Sequence, residues 1–336
     1  MKRFVVKLII FTLPFWVVVA SYFIYDPFKV LYRYNDFYRD YNVNLNRDYV
    51  STQLFIQQNK KYHYNAFIFG SSRTMAYRTK DWRVHLDNTA RPFVFDASME
   101  TIYGIWSKIK FLDRENVDVN DVLFVFCTDV TFNRAKDPDG HLYVKHPEVD
   151  ERQHYMGFQH TFFSTYFKDG FFIRYLDYKW GRKNVKYLNK GTKLVQLKAD
   201  TVTNEQSMVN IEQELSTDSA KYYKEHDAVF FTRNKLTQSR HVQIDETNKA
   251  LLKEIKEIFD KRHTRYEIVL SPLYDQVTFN KEDVKTLEII FGKKHVHDYS
   301  GINGITDSKY NYFEQSHYRP HIGRMIMDNI YGGDQQ

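Results

Sequence analysis

The chain of 336 residues contains a single cysteine, Cys127. No intramolecular disulfide can brace it, so the fold must stand on its core, and a lone thiol ending the strand-like run VLFVFC reads as a buried apolar group. Internal repeats and low-complexity tracts are absent. Charge of one sign does not dominate: the formal net charge is +6 and the pI about 9.0, which permits attraction to anionic lipid, acidic glycan or nucleic acid without choosing among them. What is present is 43% hydrophobic and 17% aromatic residues, with 26 Tyr and 27 Phe, and this content excludes general disorder despite 27% charged residues. The length suits one α/β domain with a long insertion, or two domains; either buries a real core.

The amino terminus, MKRFVVKLIIFTLPFWVVVASYFIY, sets Lys2, Arg3 and Lys7 before an uncharged run of 18 residues from Leu8 to Tyr25, close to the length that spans a bilayer. A cleaved signal peptide is the rival, with Ala20 as the small residue, but the apolar run continues through YFIY where a signal peptide turns polar. Residues 1–25 therefore read as an uncleaved signal anchor, single-pass, with the amino terminus in the cytoplasm and the rest exported. Pro14 is tolerated in such a helix. Residues 26–61, rich in Tyr, Asn and Arg with weak periodicity, read as a juxtamembrane connector.

From about residue 62 to 331 the pattern becomes strands alternating with helices. NAFIFG, PFVFDAS, DVLFVFCTD and RYEIVLSP are strand candidates, and KHVHDYS is a weaker fifth. The clearest helix is IDETNKALLKEIKEIFDKRH, with Leu251, Leu252, Ile255, Ile258 and Phe259 on one stripe. Such alternation predicts an open parallel sheet with helices on both faces and ligands beyond the carboxyl ends of its strands. Small polar residues stand at those ends: Gly70-Ser71-Ser72-Arg73, Thr128-Asp129, Ser271-Pro272 and Asp298-Tyr299-Ser300. Turns and helix caps need such residues anyway, so none is informative alone.

The carboxyl-terminal stretch YFEQSHYRPHIGRMIMDNIYGG adds the missing partners. Pro320 suits the first turn of a helix whose Ile322, Met325, Ile326 and Ile330 recur at helical spacing, so His317 falls in the loop ahead of it. Glu314 lies three residues earlier. A carboxylate and an imidazole on one short loop can pair, leaving the second ring nitrogen free to take a proton from a serine. The Gly-x-Ser-x-Gly elbow is excluded at FIFGSSRT, because Thr74 stands where its second glycine belongs.

On FIFGSSRT and EQSHY the chain resembles the SGNH/GDSL hydrolases, and within them the membrane-anchored group related to glycan O-acetyltransferases. The resemblance spans about residues 62–331 and implies a three-layer α/β/α sandwich with a parallel sheet, the flavodoxin-like SGNH fold. It puts Ser72 in the nucleophile position, with Glu314 and His317 in the places of the family's Asp-x-x-His. The family's block-two Gly and block-three Asn, which complete the oxyanion hole, are replaced by FDASMET and FCTDVTF, where Ser98, Thr128 and backbone amides could substitute. An oxyanion donor is worth about 3–4 kcal/mol.

Other readings stand beside this one. Ser71 and Ser72 could simply cap the next helix, Arg73 could be a surface salt-bridge residue, and His317 a loop histidine bonded to backbone. A zinc site from His295, His297 and Asp298 with His317 or His321 is a second enzymatic reading, but Pro320 breaks the i, i+4 pairing of the last two. The segment from about 133 to 240 interrupts the rhythm and reads as an insertion whose aromatic and basic stretch could stack sugars, face the membrane or build its own core. The expectation is a serine esterase or O-acyltransferase, with no cofactor or metal. It would act on O-acyl, chiefly acetyl, groups of a bacterial envelope polysaccharide, with a membrane acyl-donor protein as partner and no nucleic acid. The expected location is the bacterial inner membrane, the domain facing the periplasm or cell exterior. The competing class is an SGNH-fold scaffold or glycan-binding protein that has lost catalysis.

Overall fold

The computed structural model describes residues 2–133, 140–182, 197–233 and 236–332. Five strands, β1 (Ala66–Gly70), β2 (Pro92–Val94), β3 (Asp121–Phe126), β4 (Arg265–Leu270) and β5 (Val296–Asp298), form one sheet in the order β2-β1-β3-β4-β5. All four pairings are parallel. The five strand candidates of the sequence are these five strands. In the two central ones, AFIFG and DVLFVF, every residue is buried, as a parallel strand covered on both faces requires.

Alternation along the strands feeds two cores. Phe67, Phe69, Phe124, Phe126 and Ile268 pack with side chains of α2 (Arg47–Tyr62), α4 (Ile102–Arg114), α9 (Glu246–Arg262) and α10 (Lys281–Phe291). Ile68, Leu123, Val125 and Val269 pack on the other face with Trp82 of α3 (Thr79–Arg83) and with Ile322, Ile326 and Met327 of α11 (Pro320–Gly332). In α9 the side chain of Asp245 accepts from the Asn248 amide at the start, His263 caps the end at positive φ, and the expected stripe is the buried face.

The chain runs from β1 outward to β2 and then crosses back to β3. Connection direction thus reverses between β1 and β3, which opens a crevice at their carboxyl ends.

Two segments differ from the sequence reading. Residues 26–61, expected as a connector, pack into the domain: Phe28, Val30, Phe37, Val43, Leu54 and Phe55 are core residues. The face that α2 buries is partly charged. Arg47 and Asp48 are 3% and 1% exposed; Arg47 pairs with Asp96 (Nη2–Oδ1, 2.7 Å), and Asp48 pairs with Lys145 (3.0 Å) and Lys108 (3.3 Å). Both lysines also pair with buried Glu100. Burial pushes the Asp48 carboxyl up, but Lys145, Lys108 and the His146 amide outweigh it and hold it well below the carboxylate range. Polar residues on the buried face erase the apolar periodicity by which such a helix is recognised.

The insertion contributes α5 (Tyr155–Phe167), α6 (Phe171–Asp177), a small antiparallel pair (Leu197–Ala199 with Gln206–Met208), α7 (Val209–Thr217) and α8 (Ser219–Glu225). Part of its aromatic and basic stretch lies outside the described residues. Within them, Phe158, Phe162, Tyr166 and Tyr175 join the main core. α1 (Lys2–Tyr25) contains a stretch, Arg3–Tyr25, that is long and apolar enough to cross a membrane: an 18-residue window of it has mean hydropathy 2.2, with 6% of that window buried.

Candidate active site

The chain leaves β1 at Gly70, whose neighbour across the sheet is Val125. A Cβ there would lie 2.6 Å from the Val125 carbonyl oxygen, so the tight exit requires glycine. A short 3-10 turn, Ser72–Ala76, follows, and no side chain caps it. The capping role considered for Ser71 is therefore not taken up. Ser71 is 1% exposed, its Oγ 3.8 Å from Cys127 Sγ, and the thiol in turn lies 3.5 Å from Ser271 Oγ. Cys127 is buried, as expected, and burial pushes its thiol up despite nearby Arg73.

Ser72 faces the other way, towards the carboxyl-terminal loop. Its Oγ lies 2.8 Å from His317 Nε2, and His317 Nδ1 makes a short hydrogen bond to Glu314 Oε1. The second carboxylate oxygen of Glu314 accepts from the Ser316 amide at 2.8 Å. Burial alone would push the Glu314 carboxyl up. The hydrogen bond and charge of His317, the Ser316 amide and Arg73 together hold it below the ordinary range, so it stays ionised through neutral pH. An anionic acceptor on Nδ1 fixes the tautomer with its proton there, leaving Nε2 free to accept from Ser72.

A hairpin, β6 (Tyr312–Glu314) with β7 (His317–Tyr318), presents the acid and the imidazole, and its register pairs Glu314 with His317. Insertion helix α8 fixes the hairpin: Tyr222 Oη donates to the Phe313 carbonyl at 2.7 Å, and Tyr223 Oη to the Tyr312 carbonyl at 2.7 Å. Phe313 shares a small core with Met75 of the serine turn and with Met208 and Leu215. The insertion thus packs on both loops that carry the trio.

Several residues that tie the two loops together carry no motif. Arg73, expected at the surface, is 8% exposed; it donates to the Ser316 carbonyl (2.9 Å) and to Asp129 Oδ2 (2.6 Å). Thr74 Oγ1 donates to Asp96 Oδ2 at 3.0 Å, and Asp96 Oδ1 accepts from Arg47, so α2 braces the serine turn from behind. Gly323 of α11 lets that helix approach the turn: a Cβ there would sit 2.1 Å from the Ala76 carbonyl oxygen. A glycine one turn into an amphipathic helix was the available signal for this contact.

At the neighbouring strand ends, Thr128 is buried with its hydroxyl unpartnered, and one oxygen of Asp129 is likewise buried and unpartnered. Asp275 lies 3.6 Å from Arg240; burial, with Asp129 nearby, keeps its carboxyl above the ordinary range against the pull of the Val277 amide and Arg240. Charges of both signs thus gather around Arg73, with Asp129 paired to it and Asp275 paired to Arg240. Met99, in the loop after β2, takes φ +51°.

The alternative metal residues are engaged elsewhere. His295 and His297 both bond Glu267 (3.1 and 2.7 Å), and His317 bonds Ser72 and Glu314. Among the described residues, no group of three or more His, Cys, Asp or Glu is placed to hold a metal ion. No protein-family model matches the chain, and no curated protein or solved structure matches it either. A functional reading must therefore come from the geometry of these residues.

Proposed function

We propose that the chain is a membrane-anchored serine O-acyl hydrolase or O-acyltransferase with the flavodoxin-like sandwich of the SGNH type. Its substrate would be O-acyl, chiefly acetyl, groups on a bacterial envelope polysaccharide, with the domain held on the outer side of the cytoplasmic membrane by α1. The observation that carries the reading is the unbroken chain Ser72 Oγ–His317 Nε2, His317 Nδ1–Glu314 in the crevice between β1 and β3. His317 takes the Ser72 proton as Oγ attacks the ester carbonyl, and Glu314 stabilises the imidazolium. The tetrahedral intermediate collapses, the departing alkoxide takes the proton from His317, and the acyl group remains on Ser72. Water or a sugar hydroxyl then gives its proton to His317 and attacks the acyl-enzyme, which restores Ser72. Hydrolysis and transfer differ only in that acceptor; in transfer, a membrane acyl-donor protein would charge Ser72.

The oxyanion falls in this reading to the Ser72 amide and to Thr128, in place of the family's Asn.

The test is a burst of p-nitrophenol from p-nitrophenyl acetate with the detergent-solubilised full chain, and acetyl found on the peptide holding Ser72. Ser72→Ala should abolish the burst, Ser71→Ala should keep most of it, and Glu314→Gln should slow it at least tenfold, because the imidazolium loses its partner. A burst of unchanged size in Ser72→Ala refutes the assignment of the nucleophile, and the absence of any burst from the wild-type chain leaves the non-catalytic scaffold.

A further inference from the structure

The 18 uncharged residues from Leu8 to Tyr25 make about 27 Å of helix, close to the thickness of a hydrocarbon core. If this run crosses the bilayer, Tyr22 to Tyr25 lie at its outer boundary, and so does every side chain that touches them. Apart from Tyr32, whose hydroxyl donates to the Phe23 carbonyl, those contacts come from the insertion. Ser21 Oγ lies 2.8 Å from Tyr166 Oη, and the Tyr22 ring centroid is 5.3 Å from Phe163 and 5.4 Å from Tyr166. Trp180 Nε1 donates to Tyr25 Oη at 3.1 Å, and Lys179 Nζ sits 5.7 Å from the Tyr25 ring centroid. Tyr22 is 1% exposed although most of α1 is bare, so the domain is joined to the last turn of the span rather than tethered to it.

The same segment leaves large apolar groups open. Trp180 is 66% and Ile173 58% exposed, beside Phe23 at 48% and Ile24 at 70% on the helix itself. Tryptophan and tyrosine, with an apolar ring and a polar tip, favour the boundary between headgroups and acyl chains.

From this continuity we infer that α6 and the turn after it form a docking surface for the lipid bilayer, seating Trp180 and Ile173 in the headgroup layer around the exit of α1. The occupant is the same membrane that α1 crosses. The domain then stands in one orientation, with the insertion against the lipid. This inference rests on the membrane-spanning part of the proposed function and not on catalysis.

The experiment uses the full chain in phosphatidylcholine vesicles that contain lipid brominated either at carbons 6 and 7 or at carbons 11 and 12. Trp16, at the middle of the run, reports the span: deep bromines should quench wild type more than Trp16→Phe, and an absence of this difference overturns both the span and the docking surface. Within Trp16→Phe, shallow bromines should quench more than deep ones, and that quenching should vanish in Trp16→Phe/Trp180→Phe, since Trp82 is fully buried and Trp106 belongs to α4. Equal shallow quenching with and without Trp180 overturns the docking surface while leaving the span intact. Should the double variant unfold, a polarity-sensitive dye on Ile173→Cys replaces it. In that variant a blue shift on passing from detergent to vesicles supports the seat, and an unshifted emission refutes it.

Discussion

Gly323→Ala separates positioning from stability. The added methyl would meet the Ala76 carbonyl oxygen at 2.1 Å and the Ala76 carbonyl carbon at 2.6 Å, both backbone atoms that cannot swing aside. Restoring ordinary contact, about 3.4 Å, requires α11 and the serine turn to part by about 1 Å. Two stability terms oppose each other: alanine gains about 1 kcal/mol in a helix interior, and overpacking costs about 1–3 kcal/mol. The net loss should be no more than about 2 kcal/mol. The rate is far more exposed. His317 lies three residues ahead of Pro320, where α11 begins, and its 2.8 Å contact with Ser72 would open beyond hydrogen-bond reach. A misplacement of this size costs on the order of 100-fold. The p-nitrophenyl acetate burst, followed by stopped flow, should therefore slow about 100-fold while the urea midpoint moves modestly. Gly332→Ala is the control, because a Cβ at Gly332 meets nothing within 4 Å; it should leave the burst unchanged. A wild-type burst rate and urea midpoint in Gly323→Ala would refute the argument that this glycine sets the approach of the two loops.

Arg47→Met should destabilise the chain by about 3–5 kcal/mol in urea unfolding, because Asp96, at 1% exposure, keeps a buried charge without its partner; Arg47→Met/Asp96→Asn should recover part of the loss, and strictly additive losses would refute the pairing. His146, pushed down by burial from 6.5 to about 4, binds its proton less readily in the folded chain than in the unfolded one, so stability should fall as the pH drops through that window, by about 2 kcal/mol between pH 7 and pH 5. His141, also pushed down to about 4 by burial, acts in the same direction, and His146→Asn should flatten the slope without removing it.

The sheet was legible because parallel strands buried on both faces must be continuous apolar runs, and NAFIFG and DVLFVF have no other use for so many rings. Even KHVHDYS, with its two histidines, kept a strand's alternation, and the structure sends both imidazoles to the one carboxylate of Glu267. Ser72 was legible because it follows a strand of that sheet, and Glu314 and His317 because an acid and an imidazole three residues apart on one loop can pair; the structure brings the three together. Arg73 was not, since an arginine after a strand is ordinarily solvated. Its burial follows from where the loop of Ser316 returns, a contact across more than 240 residues that no local pattern encodes.

The same physics explains why residues 26–61 resisted reading and why they matter. Periodicity detects helices that bury carbon, whereas α2 buries Arg47, Asp48 and Ser51, each acceptable only where a partner from elsewhere in the chain satisfies it. Those partners are distant in sequence: Asp96 for Arg47, Lys108 and Lys145 for Asp48, and the Asp96 carbonyl for Ser51. Asp96 is also the acceptor of Thr74, two residues beyond Ser72. The stretch that follows α1 is thus joined through one carboxylate to the turn that holds the candidate nucleophile. A fragment beginning at residue 62 would leave Lys108 and Lys145 sharing the single carboxylate of Glu100, and Asp96 without its arginine. The folding unit that carries the site must therefore include α2, and its natural amino-terminal limit is the end of α1, where the Asp26 carboxylate gathers the amides of Val30 and Leu31 and starts the domain.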